Sequence, residues 1–145
     1  MKKPCLDDIV KTPLSQFSIE GGNVLHAIKE DDAAYDRFGE VYFSFINHKA
    51  VKAWKLHKRM TLNLVVPFGN VRFVFCDPLI TGNYRVEDIG EKNYVRLTVP
   101  PGIWFGFQGI ATHPSLVTNI ANLQYDPTEV ERQSISSIDY YWEEL

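Results

Sequence analysis

The sequence predicts an all-β fold. Short apolar runs broken by turn signals recur along the chain, no stretch keeps a long 3.6-residue period, and aromatic residues reach 13%. Eight or more such runs at fairly even spacing point to a sandwich or barrel. Pattern alone leaves jelly-roll and immunoglobulin-like topologies open.

The elements follow in chain order within one expected domain, 1–145. Residues 1–20 are weakly patterned and read as an N-terminal arm. "NVLHAI" (23–28) is the first strand, "AAYDRFG" (33–39) a turn-rich connection, and "EVYFSFIN" (40–47) an aromatic-rich strand. "VKAWKLHK" (51–58) alternates, with Val51, Ala53, Lys55 and His57 on one face and Lys52, Trp54, Leu56 and Lys58 on the other. "TLNLVV" (61–66) and "VRFVFC" (71–76) flank the hairpin signal "PFGN". Residues 77–93 read as a polar loop with a small strand around Tyr84–Val86. "YVRLTV" (94–99) is closed by "PPG", and "IWFGF" (103–107) and "SLVTNIANL" (115–123) continue the series. "DPTEVER" (126–132) is a turn or short helical piece, and "IDYYW" (138–142) a last strand or a docked tail.

Composition narrows the function. With 145 residues, 45% of them hydrophobic, the chain is long enough for a sizeable core. A net charge of −3 without a basic block argues against general nucleic-acid binding. There is no signal-like stretch and no apolar run of membrane-spanning length, so a cytoplasmic protein with no membrane partner is expected. Cys5 and Cys76 permit at most one disulfide, and no Cys/His cluster suggests zinc.

Chemistry concentrates in "KAWKLHKRM" (52–60), where five of nine residues are Lys, Arg or His. If the Val51/Ala53 face is inward, Lys55 and His57 project into the interior, and the lysine needs a carboxylate, a ligand or an open mouth. In the opposite orientation Trp54 and Leu56 fill the core and the charges are solvated. "VPPGIWFGF" (99–107) combines a rigid turn with an aromatic wall or ordinary core aromatics. His26, His48 and His113 have no metal-ligand spacing, and no phosphate-loop, dinucleotide-binding or nucleophile-elbow motif occurs.

The inward His strand, the turn at Gly69 and Pro-x-Gly at 100–102 together resemble a cupin, a small jelly-roll β-barrel. The cupin metal ligands would fall on Lys55, His57, Leu62 and Phe105, so the resemblance implies no metal and no other cofactor. More closely, residues 40–142 resemble the dTDP-4-dehydrorhamnose 3,5-epimerase family. "VKAWKLHKRM" is similar to its Gly-Leu-His strand, "LTVPPGIWFGFQG" to its Val-Pro-x-Gly segment, "QYDPTEVER" to its Tyr-x-Pro-x-x-Glu turn, and "DYYW" to its tail.

The resemblance implies a nucleotide-sugar substrate bearing a 4-ketone, a homodimer, and His57 as the base that removes a proton beside the ketone. It puts the carboxylate orienting His57 near Asp139. Lys55 keeps the imidazole neutral and stabilises an enolate. Lys58, Arg59 and Arg72 are candidates for the diphosphate, and Trp54, Trp104 and Phe105 for a stacking wall. The family's second histidine is Phe105 here, and its tyrosine acid falls at or beside Asn119. Three readings follow: a 3,5-epimerase-like isomerase, a sugar 3,4-ketoisomerase, or a sugar-nucleotide-binding cupin without catalysis.

Overall fold

Alternating apolar residues build two facing antiparallel sheets. The computed structural model describes residues 2–143. Its strands are β1 (Val10–Pro13), β2 (Gln16–Phe17), β3 (Val24–Leu25), β4 (Glu40–Ile46), β5 (Val51–His57), β6 (Leu62–Phe68), β7 (Asn70–Cys76), β8 (Tyr84–Gly90), β9 (Val95–Val99), β10 (Phe105–Gly109), β11 (Ser115–Ala121) and β12 (Val130–Arg132). One sheet runs β1-β9-β6-β11-β4 and the other β12-β5-β10-β7-β8, with β2 and β3 as a separate pair. Strands distant in sequence thus pair within each sheet, as in a jelly-roll barrel. The all-β expectation holds, and among the described residues the only helical pieces are 3₁₀ turns at Leu6–Asp8 and Ile135–Ser137.

The interior lies between the sheets. Leu62, Leu64 and Val66 of β6 meet Val71, Phe73 and Phe75 of β7, with Leu97, Val99, Phe105 and Val117 completing the core. The tight turn from β6 to β7 needs Gly69, which has φ +87° and leaves no room for a Cβ against Ser115. The segment expected as an arm contributes too. Leu6 and Ile9 join the core, and β1 pairs with β9.

Two expected elements differ: the polar loop at 77–93, and the turn or short helical piece at 126–132, whose end is strand β12 paired with β5. The strand around Tyr84–Val86 extends to Gly90 and pairs along all of β7. Its charged residues, Arg85, Glu87 and Asp88, hid it as a loop, because one face of this edge strand is solvated. Of the two alternatives for residues 138–142, the docked tail is the one found: Ile138, Tyr140 and Trp142 pack over Trp54, Val74 and Cys76 on the outer side of the second sheet. Both cysteines are free thiols, and burial pushes that of Cys76 up to about 12.

The strand carrying the basic run is not regular. Phe105 of β10 faces Lys55, but its neighbour Gly106 faces Ala53, so Trp54 is an extra residue in β5, a bulge. The bulge shifts the alternation. Ala53 and Trp54 both pack in the outer cluster, while Lys52 comes opposite Phe107. Gly106 permits the close approach, since a Cβ there would lie 2.6 Å from that of Ala53.

Candidate active site

The bulge puts Lys52, Lys55 and His57 around one cleft between the sheets. Its inner lobe, about 460 Å³, is lined by Leu62, Leu64, Phe105, Phe107 and Val117, with Lys52 and Lys55 on one wall and Tyr42 and Asn119 on the other. An outer lobe of about 360 Å³ adds His57, Met60 and Glu40, and shares Tyr42, Lys55 and Arg132 with the first. The open side lies between β4 and β12, the edge strands of the two sheets.

His57 ends β5, and its backbone carbonyl accepts a 2.7 Å hydrogen bond from the Gly102 N–H. The Pro-Pro-Gly turn therefore holds the strand end in place. The imidazole is 6% exposed and stacks on Phe105, with ring centroids 6.3 Å apart. Its Nδ1 lies 2.5 Å from Glu129 Oε1. Glu129 is 1% exposed, and its other oxygen accepts the Arg59 and Met60 backbone N–H groups at 3.2 Å each. A carboxylate fixed this way draws the proton to Nδ1 and leaves the Nε2 lone pair for chemistry. Nε2 is buried and has no hydrogen-bond partner.

Burial lowers the pKa of His57, and Lys55 and Arg132 lower it further, against the opposing pull of Glu129. Burial acts to raise the pKa of Glu129, but the hydrogen bonds from His57 and the two backbone amides outweigh it, so the group stays ionised. Lys55 is lowered by burial and by Arg132 and Lys52. Across the cleft, burial raises the pKa of Tyr42. Its hydroxyl oxygen accepts a 2.9 Å hydrogen bond from Asn119 Nδ2, leaving the O–H free to donate.

Several sequence expectations are corrected here. Glu129, not Asp139, holds His57. Asp139 is exposed, and its backbone carbonyl accepts from the Tyr84 hydroxyl. Lys58 pairs with Glu131, Arg59 with Asp126, and Arg72 with Asp88 and Glu143, so these cations are engaged away from the cleft. Trp54 borders the inner lobe, but its indole packs against Tyr140 and Trp142 and donates to the Ile135 carbonyl, while Trp104 packs against the same outer cluster. Phe105 and Asn119 do line the cleft. So do Lys55 and Leu62, which with Phe105 occupy three of the four positions of a cupin metal set.

The sequence reading missed Glu129, Tyr42 and Arg132. Glu129 lies within the quoted "QYDPTEVER". Tyr42 lies in a strand whose aromatic Phe43 and Phe45 face outward, the reverse of what hydrophobicity suggests.

No family model matches the sequence. A crystal structure of a dTDP sugar isomerase from Desulfovibrio desulfuricans G20 is 33% identical, covers 94% of this chain and 91% of its own, and superposes with a TM-score of 0.88. The chain belongs to the dTDP-4-dehydrorhamnose 3,5-epimerase-like cupin family. The dTDP-4-dehydrorhamnose 3,5-epimerase of Sulfolobus tokodaii is 25% identical over 91% of this chain and 80% of its own, with a TM-score of 0.75. The spore coat polysaccharide biosynthesis protein SpsL of Bacillus subtilis (strain 168) is 21% identical over 94% of this chain and 96% of its own. Membership in this epimerase-like family accords with the cleft: an oriented histidine and a tyrosine hydroxyl on opposing sheets.

Proposed function

We propose that this protein is an epimerase or isomerase of a dTDP-4-keto-6-deoxy sugar, acting by proton abstraction next to the ketone. One observation carries the reading: His57, whose Nδ1 is held by Glu129 and whose buried Nε2 has no partner, lines the same cleft as Tyr42 of the opposing sheet. A ketone acidifies its neighbouring C–H bonds, and a neutral imidazole is matched to taking such a proton near neutral pH. Tyr42, kept protonated by burial, returns a proton from the other wall. The Asn119 amide stabilises the oxygen as the proton leaves. Tyr42 thus fills, from the adjacent strand, the place the family gives to a tyrosine at the Asn119 position; Tyr42 and Asn119 are register partners.

Charge supports a diphosphate at the cleft mouth. Arg132 and Lys52 line the cleft, and among the described residues neither has a carboxylate within 4 Å. Both are exposed and can reach an anion. Phe105 and Phe107 supply the apolar wall beside them.

We also propose a homodimer formed through β4. It is an edge strand, and its outer face exposes Val41, Phe43 and Phe45, the last two at 63% and 65%. Two unpaired thiols fit a reducing compartment, the cytoplasm.

The decisive experiment is solvent deuterium exchange with dTDP-4-keto-6-deoxyglucose. Label at C3 and C5 with inverted configuration supports the epimerase. A 3-keto product means the ketoisomerase of the same fold. Binding without exchange means a non-catalytic sugar-nucleotide receptor and overturns the enzymatic reading.

A further inference from the structure

The Glu129 carboxylate takes its hydrogen bonds from the segment 57–60: His57 Nδ1 and the Arg59 and Met60 backbone N–H groups. Glu129 itself stands on the turn 126–129, where its N–H donates to the Asp126 carbonyl at 3.1 Å. Residues 58–60 and 126–129 both lie outside the strands, and the β5–β12 ladder ends at the Val130 and His57 partners. Asp126 ties the two segments together through side chains. Its Oδ1 accepts the Thr128 N–H at 2.9 Å and the Thr128 hydroxyl at 2.7 Å, which shapes the turn. Its Oδ2 accepts Arg59 Nη2 at 2.9 Å, and the backbone N–H of the same arginine donates to Glu129 Oε2. Arg59 therefore meets both carboxylates, one by its side chain and the other by its backbone. The Arg59 and Asp126 side chains are 57% and 43% exposed and line neither lobe of the cleft. An exposed ion pair adds little to stability, but this one fixes the spacing of two irregular segments that carry the base and its carboxylate.

Resting on the reading of His57 as the base, we propose that Asp126, acting through Arg59, is a positioning residue that sets Glu129 against His57 Nδ1. With the link closed, the turn and the segment 58–60 keep one spacing. With it open, the Glu129 carboxylate drifts from Nδ1, and the imidazole samples the tautomer that carries its proton on Nε2. That tautomer has no lone pair there to take a C–H proton. Burial lowers the His57 pKa and the Glu129 hydrogen bond opposes it, so a looser bond lowers it further. The other charged or titratable groups facing His57 are Lys55 on its own strand, Arg132 on β12, and Glu40 and Tyr42 on β4; none of them bonds to Arg59 or Asp126. Position and electric field are separable. Through space, losing the Arg59 charge raises the His57 pKa and losing the Asp126 charge lowers it. Through position, both losses lower it.

The test titrates ¹⁵N-histidine-labelled protein by NMR, with the His57 signals assigned by their loss in His57→Asn, and measures kcat and KM with dTDP-4-keto-6-deoxyglucose. Asp126→Asn keeps an oxygen for Thr128 and loses the charged link; Arg59→Met loses the link and keeps the backbone N–H. Each is expected to lower the His57 pKa, mix its tautomers and reduce kcat roughly tenfold with KM unchanged. The double variant is no worse than either single one, because both open the same link. Arg59→Lys, which keeps a charged donor, retains most of the rate. Lys58→Met, which breaks the neighbouring pair with Glu131, leaves every value at wild type. Melting temperatures near that of the wild type confirm folding. Opposite pKa shifts in Asp126→Asn and Arg59→Met mean a field effect alone and overturn the proposal, as does an unchanged tautomer in both. Either result, with C–H exchange in the wild type, leaves the isomerase reading standing. Mixed tautomers in the variants of a protein that exchanges no C–H proton support the positioning role and overturn the isomerase reading.

Discussion

His57 and Glu129 share a 2.5 Å hydrogen bond with both side chains withdrawn from water, joining the end of β5 to the turn before β12. Glu129→Gln removes the charge that favours the Nδ1 proton and admits the wrong tautomer. We expect kcat to fall by roughly 10²–10⁴-fold, with the apparent pKa of the base moving lower. A pH–rate profile checks both; an unchanged profile would remove Glu129 from the mechanism.

Tyr42 and His57 predict separable half-reactions. His57→Asn should abolish deuterium uptake into the keto sugar while sugar-nucleotide binding persists. Tyr42→Phe should retain uptake but lose inversion, because the base still forms the carbanion equivalent and the opposite-wall donor is gone. NMR of recovered substrate distinguishes them, and inverted product from Tyr42→Phe would assign the acid elsewhere.

Arg132 and Arg72 separate cleft charge from outer-surface charge. Arg132→Ala should raise KM roughly tenfold or more, by loss of a charge-assisted contact. Arg72 is tied to Asp88 and Glu143 outside the cleft, so Arg72→Ala should leave KM unchanged. Steady-state titrations with the sugar nucleotide decide it, and the reverse ranking would restore the diphosphate to Arg72.

Acid should loosen the fold through the same pair. Unfolded His57 binds its proton near the ordinary 6.5, whereas folded His57 binds it only at lower pH. Between those values the unfolded chain holds more protons, so lowering the pH favours unfolding. Glu129, ordinarily near 4.5 and lower in the fold, adds to the loss in more acidic solution. Thermal melts should therefore show stability present above about 6.5 and declining as pH falls, less steeply in a His57→Asn, Glu129→Gln double variant.

Gly106→Ala tests the bulge. The added methyl would sit 2.6 Å from the Ala53 Cβ, forcing β5 and β10 apart. A loss of about 1–3 kcal/mol is expected from denaturant titration, together with loss of binding, since the bulge aims Lys52 and Lys55 into the cleft.

The strands flanking the site were legible because local pattern determines them. "TLNLVV", "VRFVFC" and "YVRLTV" alternate or run apolar between turn residues, and each became a core strand. His57 was legible because it stands in a basic run beside a segment resembling a known family. Strict alternation misled at Trp54: one inserted residue turned Ala53 outward and Lys52 inward. The resemblance points to Asp139 and not to Glu129, because the tail's course over the outer face leaves no local trace in sequence.

Periodicity and turn chemistry determined by themselves that this chain folds as stacked β-sheets with its basic run on a strand, since both are properties of adjacent residues. The tertiary structure alone decided which carboxylate, which hydroxyl and which arginine join His57 at the cleft. Those partners arrive from β4, β12 and the turn before it, 15 to 75 residues away, and their meeting depends on sheet pairing and on a single bulge. Long-range register of that kind is set by packing two sheets against each other, and no short window of sequence contains it.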